Sequence, residues 1–147
     1  MSKIIPRYEF RTFAQNFGMV ETKMRKLSSC SMIRESQEVY IVSAANNENN
    51  TKIRDLKMDI KELVEVKQDL ERWNPRLKGE FPMQIDVIRD EIAQLLINGA
   101  AIQTVAVELE DVNSVLEAKK MLGLTDYENV NYLLAIKRVI GMEPIPV

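Results

Sequence analysis

Basic residues recur at alternate positions in the stretch Asn49–Leu63, which reads NNTKIRDLKMDIKEL. If this stretch contains a β-strand, Lys52 and Arg54 lie on one face, because strand side chains alternate with a period of two. A hairpin through residues 56–58 would add a second strand, in which Lys61 lies on that same face. Lys and Arg are the side chains that bind phosphate most readily in proteins. The sequence therefore predicts a basic patch on a β-sheet, and such a patch could bind phosphate.

Acidic residues alternate in a second segment, 103–110, where Glu108 and Glu110 share one face of a predicted strand. Glu9 holds a similar position in an early predicted strand, 7–13. Carboxylates are the ligands that hard divalent cations such as Mg²⁺ or Mn²⁺ prefer. If these strands belong to one curled sheet, the acids could hold such a cation while the bases bind phosphate. The alternative is a solvated sheet face, on which alternating charges are the usual pattern.

The residue types that the chain lacks exclude most other kinds of site. There is no histidine, which excludes histidine bases, histidine metal ligands and Ser-His or Cys-His nucleophiles. The single cysteine, Cys30, excludes thiolate zinc sites and an internal disulfide. The five glycines stand too far apart for a dinucleotide-binding or P-loop motif. Carboxylate and cation chemistry remains, and it suits phosphate compounds.

Size and charge favour one globular domain with no global attraction to polyanions. The 147 residues, 46% of them hydrophobic, correspond to one domain with a core of its own. A net charge of -2 gives no general preference for nucleic acid or for an anionic membrane. The first ten residues lack the apolar core of a signal peptide, and no apolar run approaches the length of a membrane span. We therefore expect a cytoplasmic protein with neither nucleic acid nor membrane as a partner.

Local patterns predict an α+β fold in which an antiparallel sheet positions the charged side chains. Alternation and β-branched residues predict further strands at 38–43, 64–66 and 70–73. The asparagine-rich run 46–50 indicates a turn, and Asn74-Pro75 is expected to end the strand before it. Helical spacing of apolar residues predicts helices at 18–27, at 84–98, from near Val115 to Gly123, and at 130–140.

Several short motifs occur in an order that resembles the CYTH superfamily, whose members are also called triphosphate tunnel metalloenzymes. The matching stretches are Lys52-Ile53-Arg54-Asp55, Asp59-Ile60-Lys61, Val105–Asp111, Leu122-Gly123-Leu124 and Asn131-Tyr132. The segments Leu70–Pro75 and Lys78–Pro82 resemble a little-studied bacterial branch of that superfamily more than its other members. The resemblance covers nearly the whole chain, so residues 1–147 are expected to form a single CYTH-like domain.

The resemblance implies an antiparallel tunnel that binds a triphosphate or polyphosphate and positions a water to attack phosphorus. The residues that would bind phosphate are Lys52, Arg54 and Lys61. The residues that would hold Mg²⁺ or Mn²⁺ are Glu9, Glu108 and Glu110. The family includes nucleotide cyclases and thiamine-triphosphate hydrolases as well as enzymes acting on inorganic phosphates, and the motifs select none of these substrates.

Two departures from the family's pattern bear on catalysis. The first strand carries Glu9, Arg11 and Phe13 where the family has two acids and a lysine, which removes negative charge from the metal site. Between residues 98 and 103 the chain has no room for the family's central strands, which leaves five or six strands in place of eight. We therefore expect an open or partial tunnel with flanking helices, covered by helices or completed by a second copy in a homodimer. Three functions stay open: a metal-dependent phosphohydrolase, a non-catalytic phosphate-binding protein, and an oligomerising protein without a phosphate ligand.

Overall fold

The computed structural model describes residues 7–30, 32–55, 57–77, 89–97 and 99–146, with the backbone alone at 57, 58, 77 and 89–96. These residues form seven strands and three helices. The strands are β1 (Tyr8–Ala14), β2 (Glu38–Ser43), β3 (Asn46–Arg54), β4 (Lys57–Lys67), β5 (Leu70–Leu77), β6 (Arg89–Ile97) and β7 (Ala100–Leu109). The helices are α1 (Met19–Leu27), α2 (Val112–Leu122) and α3 (Tyr132–Val139).

All seven strands belong to one antiparallel sheet with the order β2-β3-β4-β5-β1-β7-β6. Within the described ranges, β2 pairs only with β3 and β6 pairs only with β7, so the sheet is open at both edges. The predicted α+β class, with an open antiparallel sheet and flanking helices, is thereby confirmed. The expected count of five or six strands was too low, because a segment predicted to be helical is a strand.

One face of the sheet carries the hydrophobic core. Phe10 of β1 lies opposite Val107 of β7, and alternation places both on the face that α1 and α2 cover. The helices contribute Val20, Met24 and Val115, all buried. The predicted helix ends are confirmed at α2, where Gly123 adopts a left-handed φ of 74° as its C-cap. The opposite face of the sheet, called the polar face from here on, holds the alternating charged residues.

The sheet curls towards its polar face around Tyr132, the first residue of α3. The Tyr132 ring lies 5.4 Å from the Phe13 ring on β1 and 5.7 Å from the Tyr40 ring on β2, measured between centroids. Four strand spacings separate β1 from β2, which in a flat sheet would be about 19 Å. One ring can touch both strands only because the sheet is a half-barrel, and the polar face is therefore concave.

The helix predicted at 84–98 is wrong over its described part, because 89–97 is the strand β6. Its apolar residues do have helical spacing, but the backbone pairs with β7 continuously from Arg89 opposite Glu108 to Ile97 opposite Ala100. This hairpin satisfies backbone groups along β7 that would otherwise form an exposed edge, a tertiary gain that the helical pattern does not reveal. Residues 84–88 and 98 lie outside the described residues.

Two predicted strand limits also differ from the structure. β5 continues through Pro75 to Leu77, because a register shift between the pairs of Ile60 and Lys61 creates an irregularity where proline is tolerated. The asparagine-rich run 46–50 was predicted as a turn but belongs to β3, with the turn lying at residues 44–45. Asn46 instead accepts hydrogen bonds from the Glu48 and Asn49 backbone, a local bond pattern that asparagine makes in strands as well as turns.

Candidate functional site

The β3–β4 hairpin places the three predicted phosphate-binding residues on the polar face. Lys52 lies opposite Asp59, and Asn50 lies opposite Lys61, so alternation puts Arg54 on the same face as both lysines. Asp55, with a φ of 50°, begins the tight turn that sets this register. The alternation seen in the sequence therefore corresponds to a real basic surface.

A carboxylate from the neighbouring strand neutralises part of this surface. Glu38 of β2 lies 3.6 Å from the Lys52 Nζ and 3.2 Å from the Arg54 Nη1, and the Tyr40 hydroxyl donates to it at 2.7 Å. Burial would raise the pKa of Glu38, but the Tyr40 hydroxyl and the two cations hold it below its usual value. Burial lowers the pKa of Lys52, and Glu38 opposes that shift. Sequence reasoning missed Glu38, which alternation with Tyr40 on an edge strand could have indicated.

Glu9 and Glu108 face each other across β1 and β7, and their carboxyl groups are hydrogen-bonded. Burial alone would raise the pKa of Glu9, but the Arg11 guanidinium 2.7 Å away, the Glu108 hydrogen bond and Lys61 lower it to about 2. Burial and the negative charge of Glu9 raise the pKa of Glu108 to about 7. Glu108 therefore holds a proton that it donates to ionised Glu9, and the two groups titrate as a coupled pair.

Lys61 connects the basic hairpin to this acid pair. Its positive charge lowers the pKa of both Glu9 and Glu108, although two strands lie between β4 and β7 in the sheet. Such an interaction over the width of the sheet requires the curl described above. The basic patch and the carboxylate pair, which the sequence analysis joined only on the condition of one curled sheet, are thus parts of one concave surface.

A third carboxylate, Glu71 of β5, lies opposite Glu9 on its other side. Both Glu71 oxygens accept from the Asn131 amide at 3.0 Å, and the Trp73 indole donates at 2.9 Å. Burial raises the pKa of Glu71, while those two donors oppose the shift. Sequence analysis did not assign Glu71 to the site, although its position two residues before Trp73 placed it on an alternating strand.

The third predicted metal ligand, Glu110, is placed differently from Glu9 and Glu108. It follows the last residue of β7 and is exposed, whereas Glu108 is half-buried. Among the described residues, no group of three or more acidic or cysteine side chains is arranged to hold a metal ion. The donor set that fits a divalent cation is the Glu9–Glu108 pair, since Mg²⁺ commonly takes one or two protein carboxylates and completes its shell with waters and substrate phosphates.

Aromatic and cationic groups of α3 and β1 fill one end of the concave surface. The Arg11 guanidinium lies 4.4 Å from the centre of the Tyr132 ring and, with the residue 4% exposed, is held between that ring and Glu9. The fully buried Lys137 fixes the helix, since its Nζ donates at 2.7 Å to both the Asn46 carbonyl and the Asn47 Oδ1. Helix α3 is therefore attached to the β2–β3 end of the half-barrel.

Two acceptors on the hairpin have no donor within the described part of the chain. Asp59 is 6% exposed, and neither of its carboxylate oxygens accepts a hydrogen bond. The Asn50 Oδ1 is likewise buried without a partner. Both residues lie on the polar face, beside Lys52 and Lys61. Buried polar atoms in folded proteins are nearly always paired, so these acceptors are unusual, although the described residues contain other such atoms, among them the Asn74 Oδ1.

Comparison with known proteins does not assign the chain to a family. No helix in the described residues is long and apolar enough to cross a membrane. No protein-family model, curated protein or solved structure matches the chain. The resemblance to the CYTH superfamily therefore depends on the quoted motifs alone and stays a prediction.

Proposed function

We propose that the protein binds a triphosphate or polyphosphate, together with Mg²⁺ or Mn²⁺, on the concave polar face. The observation that carries the proposal is the position of Lys61, which belongs to the row of cations on the β3–β4 hairpin and acts electrostatically on Glu9 and Glu108. A phosphate chain following Lys52, Arg54 and Lys61 would run towards Glu9 and Glu108, two carboxylates that could hold its metal ion. The resemblance to triphosphate tunnel enzymes supports the same ligand.

The ion pairs already present are compatible with this function. Glu38 holds Lys52 and Arg54 in the absence of an anion, and a phosphate group carries more charge than a carboxylate and three acceptor oxygens. Exchange of one anion for the other would leave both cations paired. Glu9 and Glu108 would hold the metal, which would displace their shared proton and supply positive charge next to the phosphate.

The binding test measures the thermal midpoint with tripolyphosphate, with and without Mg²⁺ or Mn²⁺, at fixed ionic strength and against a sulfate control. At about 100 times Kd, a ligand that binds only the folded state adds about 2.7 kcal/mol, which for a domain of this size raises the midpoint by roughly 5–10 °C. Lys61→Met should abolish the rise. Lys67→Met is the matched control, because Lys67 is exposed near the end of the same strand, opposite Leu70 of the core.

A midpoint that tripolyphosphate raises no more than sulfate does would refute the proposal. An equal loss in Lys61→Met and Lys67→Met would show a general response to net charge and would refute the assignment to the polar face.

Hydrolysis of the bound phosphate is a second candidate function. It is favoured by the closeness of Lys61 to the carboxylate pair, which would bring metal ion and phosphate together, and phosphoryl transfer needs mainly such positioning and charge neutralisation. The measurement is phosphate release from tripolyphosphate under Mg²⁺ or Mn²⁺. Release that Glu9→Gln and Glu108→Gln abolish would identify an enzyme, whereas binding without release would identify a binding protein.

A further inference from the structure

Glu38 of β2 occupies the place that an anionic ligand would take on the basic hairpin. Its Oε1 lies 3.2 Å from the Arg54 Nη1, and its Oε2 lies 3.6 Å from the Lys52 Nζ. The Tyr40 hydroxyl donates to the same Oε2 at 2.7 Å, so both carboxylate oxygens are engaged. The side chains of Lys52 and Arg54 are only 16% and 24% exposed. A phosphate group can therefore bind both cations fully only if Glu38 moves away.

The carboxylates of this part of the polar face do not balance its positive charge. The opposite charges that act on Lys52 are those of Glu38 and Asp59. The like charges are those of Arg54 and Lys61, so three cations stand against two carboxylates. If Glu38 moved away, two positive charges would be in excess, which is close to the charge of about −1.5 to −2 on a phosphate group at neutral pH. The surface therefore attracts an anion even while Glu38 is in place, and attracts it more strongly without Glu38.

The position of Glu38 in the fold leaves room for its side chain to move. Glu38 is the first residue of β2, and residues 32–37 before it are all exposed. Within the described ranges β2 pairs only with β3, so no strand lies on the outer side of Glu38. Rotation towards that open edge would return the carboxylate to water, where a charged group is best solvated. Displacement of Glu38 therefore breaks its contacts with Tyr40, Lys52 and Arg54 but requires no change in the pairing of the sheet.

We propose that Glu38 is an internal competitor of the ligand, which occupies Lys52 and Arg54 until a phosphate group displaces it and thereby weakens the binding of every anion at this place. This inference rests on the proposed phosphate-binding function and adds a regulation of the same site. A singly charged anion gains little by replacing another single charge, whereas a phosphate group brings more charge and a third acceptor oxygen. Glu38 therefore keeps the hairpin cations closed to weakly charged anions.

The test measures the affinity for tripolyphosphate by titration calorimetry in Mg²⁺ at fixed ionic strength. Glu38→Gln keeps the size of the side chain and removes its charge, so tripolyphosphate should bind about tenfold more tightly, the usual effect of one hydrogen bond to a charged group. Glu35→Gln is the matched control, because it makes the same change of net charge at an exposed position, and it should change the affinity less than about twofold. If Glu38 instead positions Lys52 and Arg54 for the ligand, Glu38→Gln weakens binding, and the inference is overturned.

Tyr40→Phe tests the same displacement without changing the net charge. It removes the hydrogen bond to Glu38 and keeps the aromatic ring that stacks on Tyr132. A carboxylate held by fewer contacts is displaced more easily, so Tyr40→Phe should tighten the binding of tripolyphosphate about fivefold. Both variants should lower the thermal midpoint of the ligand-free protein, because each removes a contact between half-buried groups. Affinity that falls together with the midpoint would show that Glu38 only supports the fold, and would overturn the inference.

The outcomes separate this inference from the proposed function. If tripolyphosphate binds the intact protein through Lys61, but Glu38→Gln and Tyr40→Phe bind it no more tightly, the inference is overturned and phosphate binding stands. If neither the intact protein nor Glu38→Gln binds tripolyphosphate, both proposals are refuted. Tighter binding in both variants, with the affinity of Glu35→Gln unchanged, would confirm that Glu38 competes with the ligand.

Discussion

Replacing Glu108 by glutamine is expected to remove a pH dependence of stability that the acid pair imposes. In the folded protein, burial and ionised Glu9 raise the pKa of Glu108 from its ordinary 4.5 to about 7. A carboxyl with a raised pKa stabilises the fold while it is protonated, and this contribution is lost as the pH rises through the folded-state value. The relevant window therefore lies between about pH 4.5 and pH 7.

The size of the effect follows from the shift. One pKa unit corresponds to about 1.4 kcal/mol, so the linkage relation gives a loss on the order of 2–3 kcal/mol in the free energy of unfolding between pH 5 and pH 8. Glu9 shifts in the opposite direction, to about 2, and its contribution is lost only as the pH falls below about 4.5. It is nearly constant over the chosen range. Burial also raises the pKa of Glu71, which contributes in the same direction, so the part due to Glu108 is read from the difference between the wild type and Glu108→Gln.

The assay is urea unfolding at pH 5, 6, 7 and 8 in the presence of EDTA, with the slope of unfolding free energy against denaturant checked at each pH. Glutamine is neutral and can still donate a hydrogen bond to Glu9, so Glu108→Gln should match the wild type at pH 5 and exceed it at pH 8. Glu110→Gln, the exposed neighbour two residues along, should keep the wild-type profile. If Glu108→Gln follows the wild-type profile, or is the less stable protein at pH 8, the shared proton described here does not exist.

Three further predictions concern the metal, α3 and α2. Mn²⁺ binding at pH 7, measured from the electron paramagnetic resonance signal of the free ion, should be lost in Glu108→Gln and kept in Glu110→Gln. A loss confined to Glu110→Gln would show that Glu110, and not Glu108, holds the metal ion. Lys137→Met should lower the free energy of unfolding by about 1–3 kcal/mol, because the buried Lys137 ammonium makes two hydrogen bonds, to the Asn46 carbonyl and the Asn47 Oδ1, that methionine cannot make. Lys120→Met at an exposed position should change the free energy of unfolding little. Asp111→Ala should lower the free energy of unfolding by about 1 kcal/mol, because the α2 N-cap loses the hydrogen bond that the Ser114 backbone N–H donates to the Asp111 carboxylate. An unchanged urea midpoint would show that this cap is dispensable.

The sequence by itself determined the local elements that carry strong short-range patterns. Alternation identified β2 and the face shared by Lys52 and Arg54, because a two-residue period is a property of any extended chain. Apolar spacing identified α1, α2 and α3, and Gly123 marked the end of α2. The basic half of the site could therefore be predicted from a single stretch of chain.

Tertiary structure alone decided how these elements combine. The segment at 89–97 has helical spacing yet forms β6, because pairing with β7 satisfies a complete row of backbone groups. Likewise, Glu9 and Glu108 share a proton, and Glu38 pairs with the hairpin cations, only because distant strands become neighbours in the sheet. Such relations depend on burial and on distances between residues far apart in the chain, and neither quantity is encoded in a local pattern.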